Sequence, residues 1–149
     1  MKKSVVFIFL SFMLSSCILE ETYKFNIRND SNKELYFYRA YANSINVYPD
    51  TLLFEQFALT HINPLSTFHL GGFQKIDEKI NEIPSDSLSI YFFDNDTLEN
   101  FSWETICDEY KVLKRYDLSL KDIQLLDYEI PYPPTSTMKD MRMYPPYKD

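Results

Sequence analysis

Apolar and polar residues alternate early in the chain: Tyr23, Phe25 and Ile27 fall on one side of an extended backbone, Lys24, Asn26 and Arg28 on the other. A period of two marks a half-buried strand. Asn29-Asp30-Ser31-Asn32 supplies turn residues, and residues 34–42 (ELYFYRAYA) follow as a strand aromatic on both faces, so the pair predicts a hairpin. Past the loop at Pro49-Asp50, strands are expected near 57–62 and 66–71 around Asn63-Pro64, before Gly71-Gly72 breaks the pattern. Phe73, Ile76, Ile80 and Ile83 recur at helical spacing until Pro84, which predicts a short amphipathic helix lying on a sheet.

Leu88 to Asp94 (LSIYFFD) is apolar at almost every position and is expected as a central strand. After the turn Asp94-Asn95-Asp96, the spacing of Trp103, Ile106, Cys107 and Tyr110 predicts a second helix, and a strand near 111–116 follows. Ser119-Leu120-Lys121-Asp122 reads as a capping-box start to a third helix, with Asp122 in place of the usual glutamate. Tyr128, Ile130 and Tyr132 give a last strand. About seven strands with short turns predict a mainly β chain: an antiparallel β-sandwich with short decorating helices over residues 22–132, with a two-layer α+β sheet as the alternative.

Residues 133–149 form a Pro/Tyr-rich extended tail in this reading, with Tyr132-Pro133-Pro134 and Tyr144-Pro145-Pro146-Tyr147 enclosing Met138, Met141 and Met143. Proline pairs favour extended geometry and remove hydrogen-bond donors, which keeps the segment out of a sheet interior. Two roles fit: a strap packed on the domain, or a partner-contact strip carried by Tyr132, Met141, Met143, Tyr144 and Tyr147.

The N-terminus has its own pattern. Lys2 and Lys3 precede the apolar run Val5 to Leu14, which is too short for the roughly 20 residues a membrane-spanning helix needs and has the length of a signal peptide core. It ends in Leu14-Ser15-Ser16-Cys17, which resembles the lipobox of bacterial lipoproteins. The resemblance implies removal of residues 1–16 and lipidation of Cys17, so that acyl chains anchor the protein without spanning the bilayer. Residues 17–21 then form the lipidated cysteine and an acidic tether, and Glu20-Glu21 resembles the surface-export signal of Bacteroidetes lipoproteins. The expected location is the bacterial outer membrane; the Glu20-Glu21 resemblance implies exposure on the cell surface, and a plain solvated tether, which leaves the orientation open, is the alternative. The C-terminal third, from SIYFFDNDTL through YKVLKRYDLSLKDIQLLDYEIPYPP to MKDMRMYPPY, is similar to the ends of small uncharacterised lipoproteins of Bacteroidetes type, a domain of unknown function. That resemblance supports the address and a single domain, and it transfers no functional residue.

Removing 16 of 149 residues leaves 133, one domain's worth, and removing two lysines takes the net charge from −7 to −9. So acidic a chain has no electrostatic footprint for nucleic acid and is repelled by anionic membrane surfaces. Aromatics make up 17% of residues while glycine occurs twice, a balance that suits twisted, half-buried strands. With Cys17 lipidated, Cys107 is the sole remaining thiol, and stability must come from packing rather than an intrachain disulfide.

Candidate chemistry is sparse. His61 and His69 would be diagonal neighbours if their strands formed a hairpin, and a nearby carboxylate would complete a metal site; packed or solvent-facing histidines are the simpler reading. Cys107 sits on the stripe Trp103, Ile106, Tyr110, which argues for a buried small hydrophobe over a nucleophile. Asp94-Asn95-Asp96 invites calcium, but Leu98, Glu99 and Thr105 depart from an EF-hand loop, leaving an Asx-turn. The chain contains no phosphate-binding glycine loop, Gly-x-Ser-x-Gly elbow or Cys-x-x-Cys pair. No catalytic residue, metal or cofactor is assigned. The expected function is a lipid-anchored, non-catalytic binding or scaffolding module that contacts an envelope protein, an external protein or a glycan. The alternatives are a small hydrolase working through paired carboxylates and an inhibitor or immunity lipoprotein projecting acidic residues.

One triplet recurs: Asp50-Thr51-Leu52, Asp86-Ser87-Leu88 and Asp96-Thr97-Leu98. It resembles the O-glycan acceptor motif of exported Bacteroidetes proteins, which makes Thr51, Ser87 and Thr97 candidate attachment points at expected loops or element edges. An Asx-turn followed by the start of the next element explains the same residues.

Overall fold

The computed structural model describes residues 25–40, 59–70, 76–82 and 86–148. These residues form strands β1 (Asn26–Asn29), β2 (Leu35–Ala40), β3 (Thr60–Ile62), β4 (Ser66–His69), β5 (Ser87–Asp94), β6 (Lys114–Ser119), β7 (Glu129–Tyr132) and β8 (Arg142–Tyr144). Between them lie the short helices α1 (Ile76–Asn81), α2 (Asn95–Asn100), α3 (Trp103–Asp108) and α4 (Leu120–Leu125), with a single 3-10 turn at Ser136–Met138. The chain is mainly β. One sheet has five strands in the order β3-β2-β5-β6-β8, the other three in the order β4-β1-β7.

Strand β5 is central in the larger sheet and buried from Ser87 to Phe93, as its apolar run predicts. Alternation sends Leu88, Ile90 and Phe92 into one cluster and Tyr91 and Phe93 into another. The first cluster joins both sheets, with Ile27 of β1, Phe37 of β2, Tyr116 of β6 and Ile130 of β7, and it takes in Ile76 and Ile80 of α1 and Ile123 of α4. Phe37 meets Phe68 of β4 edge-on with ring centroids 5.4 Å apart, and the Tyr116 hydroxyl donates to the Pro131 carbonyl at 3.1 Å. In the second cluster, Ile106 of α3 packs with Tyr91 and Phe93, flanked by Leu98 of α2 and Trp103 of α3. Both faces of β5 are therefore covered.

The expected hairpin of β1 with β2 does not form, and β3 does not pair with β4. Strand β1 pairs with β4 and β7, and β2 with β3 and β5, so the chain changes sheet at residues 30–34 and again at 63–65. The reason lies in β2, which is apolar on both faces: it gains more by entering the double-covered sheet beside β5 than by pairing with β1. The β1–β7 pair is parallel, so the smaller sheet is mixed rather than antiparallel.

Asn29, 1% exposed, stitches the two sheet changes together. Its amide donates to the carbonyls of Lys33 at 2.8 Å and Asn63 at 3.0 Å, and its side-chain oxygen accepts from the Ser31 backbone at 3.0 Å and hydroxyl at 2.7 Å. Leu65 N–H donates to Ser31 at 3.1 Å, which ties the second corner to the first.

Among the described residues, turns are closed without glycine. Leu65, Asp86, Tyr110, Asp127 and Tyr128 all have positive φ, which costs a non-glycine residue about 1–2 kcal/mol. Helix α3 ends with Tyr110 N–H donating to Cys107 and Lys111 N–H to Ile106, and α4 ends with Asp127 and Tyr128 bonding Gln124 and Ile123 in the same manner. This is the Schellman closure, here with tyrosine or aspartate where glycine is usual. The helix starts follow the sequence: Asp94 caps α2, Ser102 caps α3, and Ser119 with Asp122 forms the capping box of α4.

The segment from residue 133 onward belongs to the folded unit. Strand β8 adds to the β6 edge, and Met138, Met141 and Met143 enter the main cluster. The prolines permit this because β8 is a three-residue edge strand that ends before Pro145.

Replacing Asn29 with Ala removes four hydrogen bonds that join the two sheet changes and should lower unfolding free energy by about 2–3 kcal/mol in urea titration, whereas Asn32→Ala on the exposed turn should stay within about 0.5 kcal/mol. Burial also pushes the phenols of Tyr116, Tyr110, Tyr132 and Tyr38 above their ordinary value. The folded state then keeps protons that the unfolded chain releases above about pH 10, so stability is intact below that pH and falls above it by up to about 1.4 kcal/mol per pH unit per tyrosine. Lys114, lowered by burial, works in the opposite direction but is one amine against several phenols. Urea midpoints between pH 8 and 11 should decline, and less steeply in Tyr116→Phe.

Candidate functional site

Cross-strand register sets two rows of side chains on the face of the larger sheet that carries α2 and α3. Tyr38, Tyr91, Arg115 and Tyr144 form one row, and Ala40, Ser89, Asp117 and Arg142 the next. Arg115 is 0% exposed. Its Nε donates to Asp117 Oδ1 at 2.8 Å, Nη1 to the Tyr110 hydroxyl at 3.2 Å and Nη2 to Ser89 Oγ at 3.4 Å, while the guanidinium lies 5.1 Å from the Tyr91 ring centroid. Burial works against its charge, but the hydrogen bond it donates to Tyr110 and the charge of Asp117 outweigh this and hold the guanidinium above its usual value. Ser89 Oγ donates to Asp117 Oδ1, while Asp117 Oδ2 is buried without a hydrogen-bond partner. A serine that gives its proton to an arginine-neutralised carboxylate is not an activated nucleophile. The cluster instead fixes which residues of β5, β6 and β8 stand opposite one another.

Over this cluster Tyr110 and Tyr144 reach the surface with ring centroids 5.3 Å apart, and Tyr144 is 39% exposed. The tail is clamped beside them: Lys114 Nζ donates to the Pro145 carbonyl at 2.6 Å, and Arg142 Nη2 to Ser87 Oγ at 2.6 Å. Of the five tail residues proposed for partner contact, Met141 and Met143 face the core, which withdraws their side chains from any surface strip. Tyr132 is half-buried, its ring 5.1 Å from that of Phe92, and Tyr147 packs partly on the main cluster. Tyr144 is the member with the most exposed ring.

A second feature is an open depression of about 250 Å3 lined by Lys33, Glu34, Asp94, Asn95 and Asp96. Asp94 Oδ1 is engaged as the α2 cap, accepting from Thr97 N–H at 2.7 Å, so Asp94-Asn95-Asp96 is a strand-to-helix junction rather than a free loop.

The histidines lie in different sheets. His61 Nε2 is 3.7 Å from Glu34, its ring beside Tyr36, while His69 Nδ1 contacts Asn26 Oδ1 at 2.9 Å. The two-histidine arrangement therefore does not arise, and among the described residues no three His, Cys, Asp or Glu side chains are grouped to hold a metal. Cys107 is half-buried rather than enclosed, and burial followed by the charge of Asp108 raises its thiol. Cys17, Glu20, Glu21 and Thr51 lie outside the described residues. Ser87 opens β5 and is buried against Arg142, and Thr97 sits half-buried in the first turn of α2.

The sequence pattern marks a strand near 111–116 but singles out neither Arg115 nor Asp117. The missed signal is β5 itself, whose lack of alternation means that both faces of the sheet are covered, those of its neighbour included. No family model, curated protein or solved structure matches this chain.

Removing Asp117 alone should leave Arg115 buried and uncompensated, lowering stability by about 3–5 kcal/mol, while Arg115→Met combined with Asp117→Leu should recover most of that loss. Urea unfolding of the single and double variants checks the structural role.

Proposed function

We propose that this chain is a lipid-anchored, non-catalytic binding or scaffolding module of the bacterial outer membrane, facing outward and working without cofactor or nucleic acid. The observation that carries the reading is Leu14-Ser15-Ser16-Cys17 behind a charged, then apolar, N-terminus, followed by the acidic Glu20-Glu21 tether and one domain. A domain held by its lipid needs only a stable surface to act by contact. The rigid polar cluster beneath Tyr110 and Tyr144 supports that role, as does the double burial of β5. In this reading the two sheets face each other as a β-sandwich, supported by the cluster they share and by the Tyr116–Pro131 hydrogen bond between them. The acidic lining of the depression favours one more specific version, an inhibitor or immunity lipoprotein that meets a basic opponent.

Thr51, Ser87 and Thr97 remain proposed O-glycan sites, and burial of Ser87 makes it the least accessible of the two described. Intact-mass analysis of protein purified from its native host addresses both proposals. The expected mass is polypeptide from Cys17 plus acyl chains plus a hexose-type increment that persists in Ser87→Ala and disappears when Thr51 and Thr97 are replaced. Polypeptide plus lipid alone would remove the glycan. Cys17→Ala should release the protein from the membrane fraction or block its maturation, and protease added to whole cells should remove the native domain. Unchanged fractionation of the variant, together with an unlipidated native mass, would overturn the anchor.

A further inference from the structure

We propose that the C-terminal strap, residues 133–148, is an oxidation-sensitive latch: a peroxide converts Met141 and then Met143 to sulfoxides, which releases β8 from the edge of β6. The chain has five methionines, and those that follow the N-terminal apolar run, Met138, Met141 and Met143, all lie between residues 138 and 143. Their side chains enter the cluster that both sheets share, at 0%, 9% and 4% exposure respectively. They are also the only buried residues of the strap. The segment is therefore held in the core by side chains that a mild oxidant can turn polar. This property belongs to the folded chain, independent of its lipid anchor and of any partner.

The place of the strap in the fold lets it open by itself. Strand β8 is the outermost strand of the larger sheet, three residues long, and joins it through the register Arg115–Tyr144, Tyr116–Met143 and Asp117–Arg142. Its departure leaves β3-β2-β5-β6 paired. A short edge strand near a chain end opens at much lower free energy than the whole fold, and opening brings the thioethers to water. There hydrogen peroxide transfers one oxygen atom: the methionine sulfur gives up two electrons and becomes a sulfoxide, the O–O bond breaks, and water leaves. Met141, the most exposed of the three, reacts first. Re-docking would then carry a strong acceptor into a cluster of aliphatic and aromatic side chains, where the hydroxyl of Tyr116, paired with Met143, already donates to Pro131. A buried acceptor with no donor is costly, so the open form accumulates. A thiol-dependent sulfoxide reductase closes the latch again: two thiols become a disulfide and the oxygen leaves as water. Release takes Tyr144 from Tyr110, Arg142 from Ser87 and the Pro145 carbonyl from Lys114, which dismantles the surface above Arg115 and Asp117 while the rest of the fold stands.

The test treats the full-length protein with hydrogen peroxide at neutral pH and maps oxidation by peptide mass spectrometry, with backbone hydrogen exchange and trypsin cleavage after Arg142 reporting on the strap. The expected order is Met141, then Met143, then Met138. Sulfoxide at Met141 should raise exchange across residues 138–147 by at least about tenfold while β5 stays protected. Methionine sulfoxide reductase with dithiothreitol should restore protection. Met141→Leu combined with Met143→Leu, which nearly conserves volume, should keep the strap closed under the same peroxide and so separates the thioethers from the Cys107 thiol. Met141→Gln, polar and of similar length, should open the strap with no oxidant present. The latch is overturned by an absence of sulfoxide at Met141 under peroxide that fully converts methionine in a short peptide, by sulfoxide at Met141 with exchange unchanged, or by a Met141→Gln strap as protected as the native one. Equal opening in the leucine variant would assign the effect elsewhere and overturn it too, as would β5 losing protection as fast as the strap, since the event would then be global unfolding.

Discussion

A strand with apolar side chains on both faces has to be covered twice, and β5 imposes that condition on the rest of the chain. Leu88, Ile90 and Phe92 require a partner layer, met by the smaller sheet with α1 and α4, while Tyr91 and Phe93 require another, met by α2 and α3. Once both faces are dry, the neighbours of β5 inherit the same surroundings. Arg115 and Asp117 of β6 are then buried as a pair, and their hydrogen bonds to Ser89 and Tyr110 follow from having no water to turn to.

The same condition explains why the chain changes sheet instead of making hairpins. Strand β2 can bury Leu35 and Phe37 on one face and pack Tyr36 and Tyr38 on the other only beside β5, so β1 is left to pair with β4 and β7. The abrupt corners that result are held by Asn29 and by residues that accept positive φ in place of glycine. Tyr110 shows how that local strain is offset, because the tyrosine that closes α3 also stacks on Tyr144 and receives a hydrogen bond from Arg115.

Function, in this reading, is a matter of surface and address rather than of a pocket. The polar groups with the strongest couplings are internal and hold strand register, and the groups left to meet a partner include the exposed ring of Tyr144 and the carboxylates of the open depression. The rigidity of the interior keeps these groups in fixed relation to one another.

The sequence by itself determined the elements whose cause is local. Unbroken apolar character set β5, side-chain capping chemistry set the start of α4, and alternation together with turn residues marked most of the other strands, whereas α2 was read as a turn and β8 as part of an extended tail. The signal-like N-terminus and Cys17 are equally local, since a short motif is read before any folding. Pairing and burial were decided only by tertiary structure. Whether Asn29-Asp30-Ser31-Asn32 folds back into a hairpin or crosses to another sheet depends on what covers β2, and whether Arg115, Met141 or Ser87 meets water depends on layers brought in from distant parts of the chain. The tail packs on the domain as the strap reading expects, but its pairing with the open β6 edge and the burial of its three methionines depend on partners far away in sequence. Local pattern states which face of a segment is apolar; which second surface covers that face is set by contacts far apart in sequence.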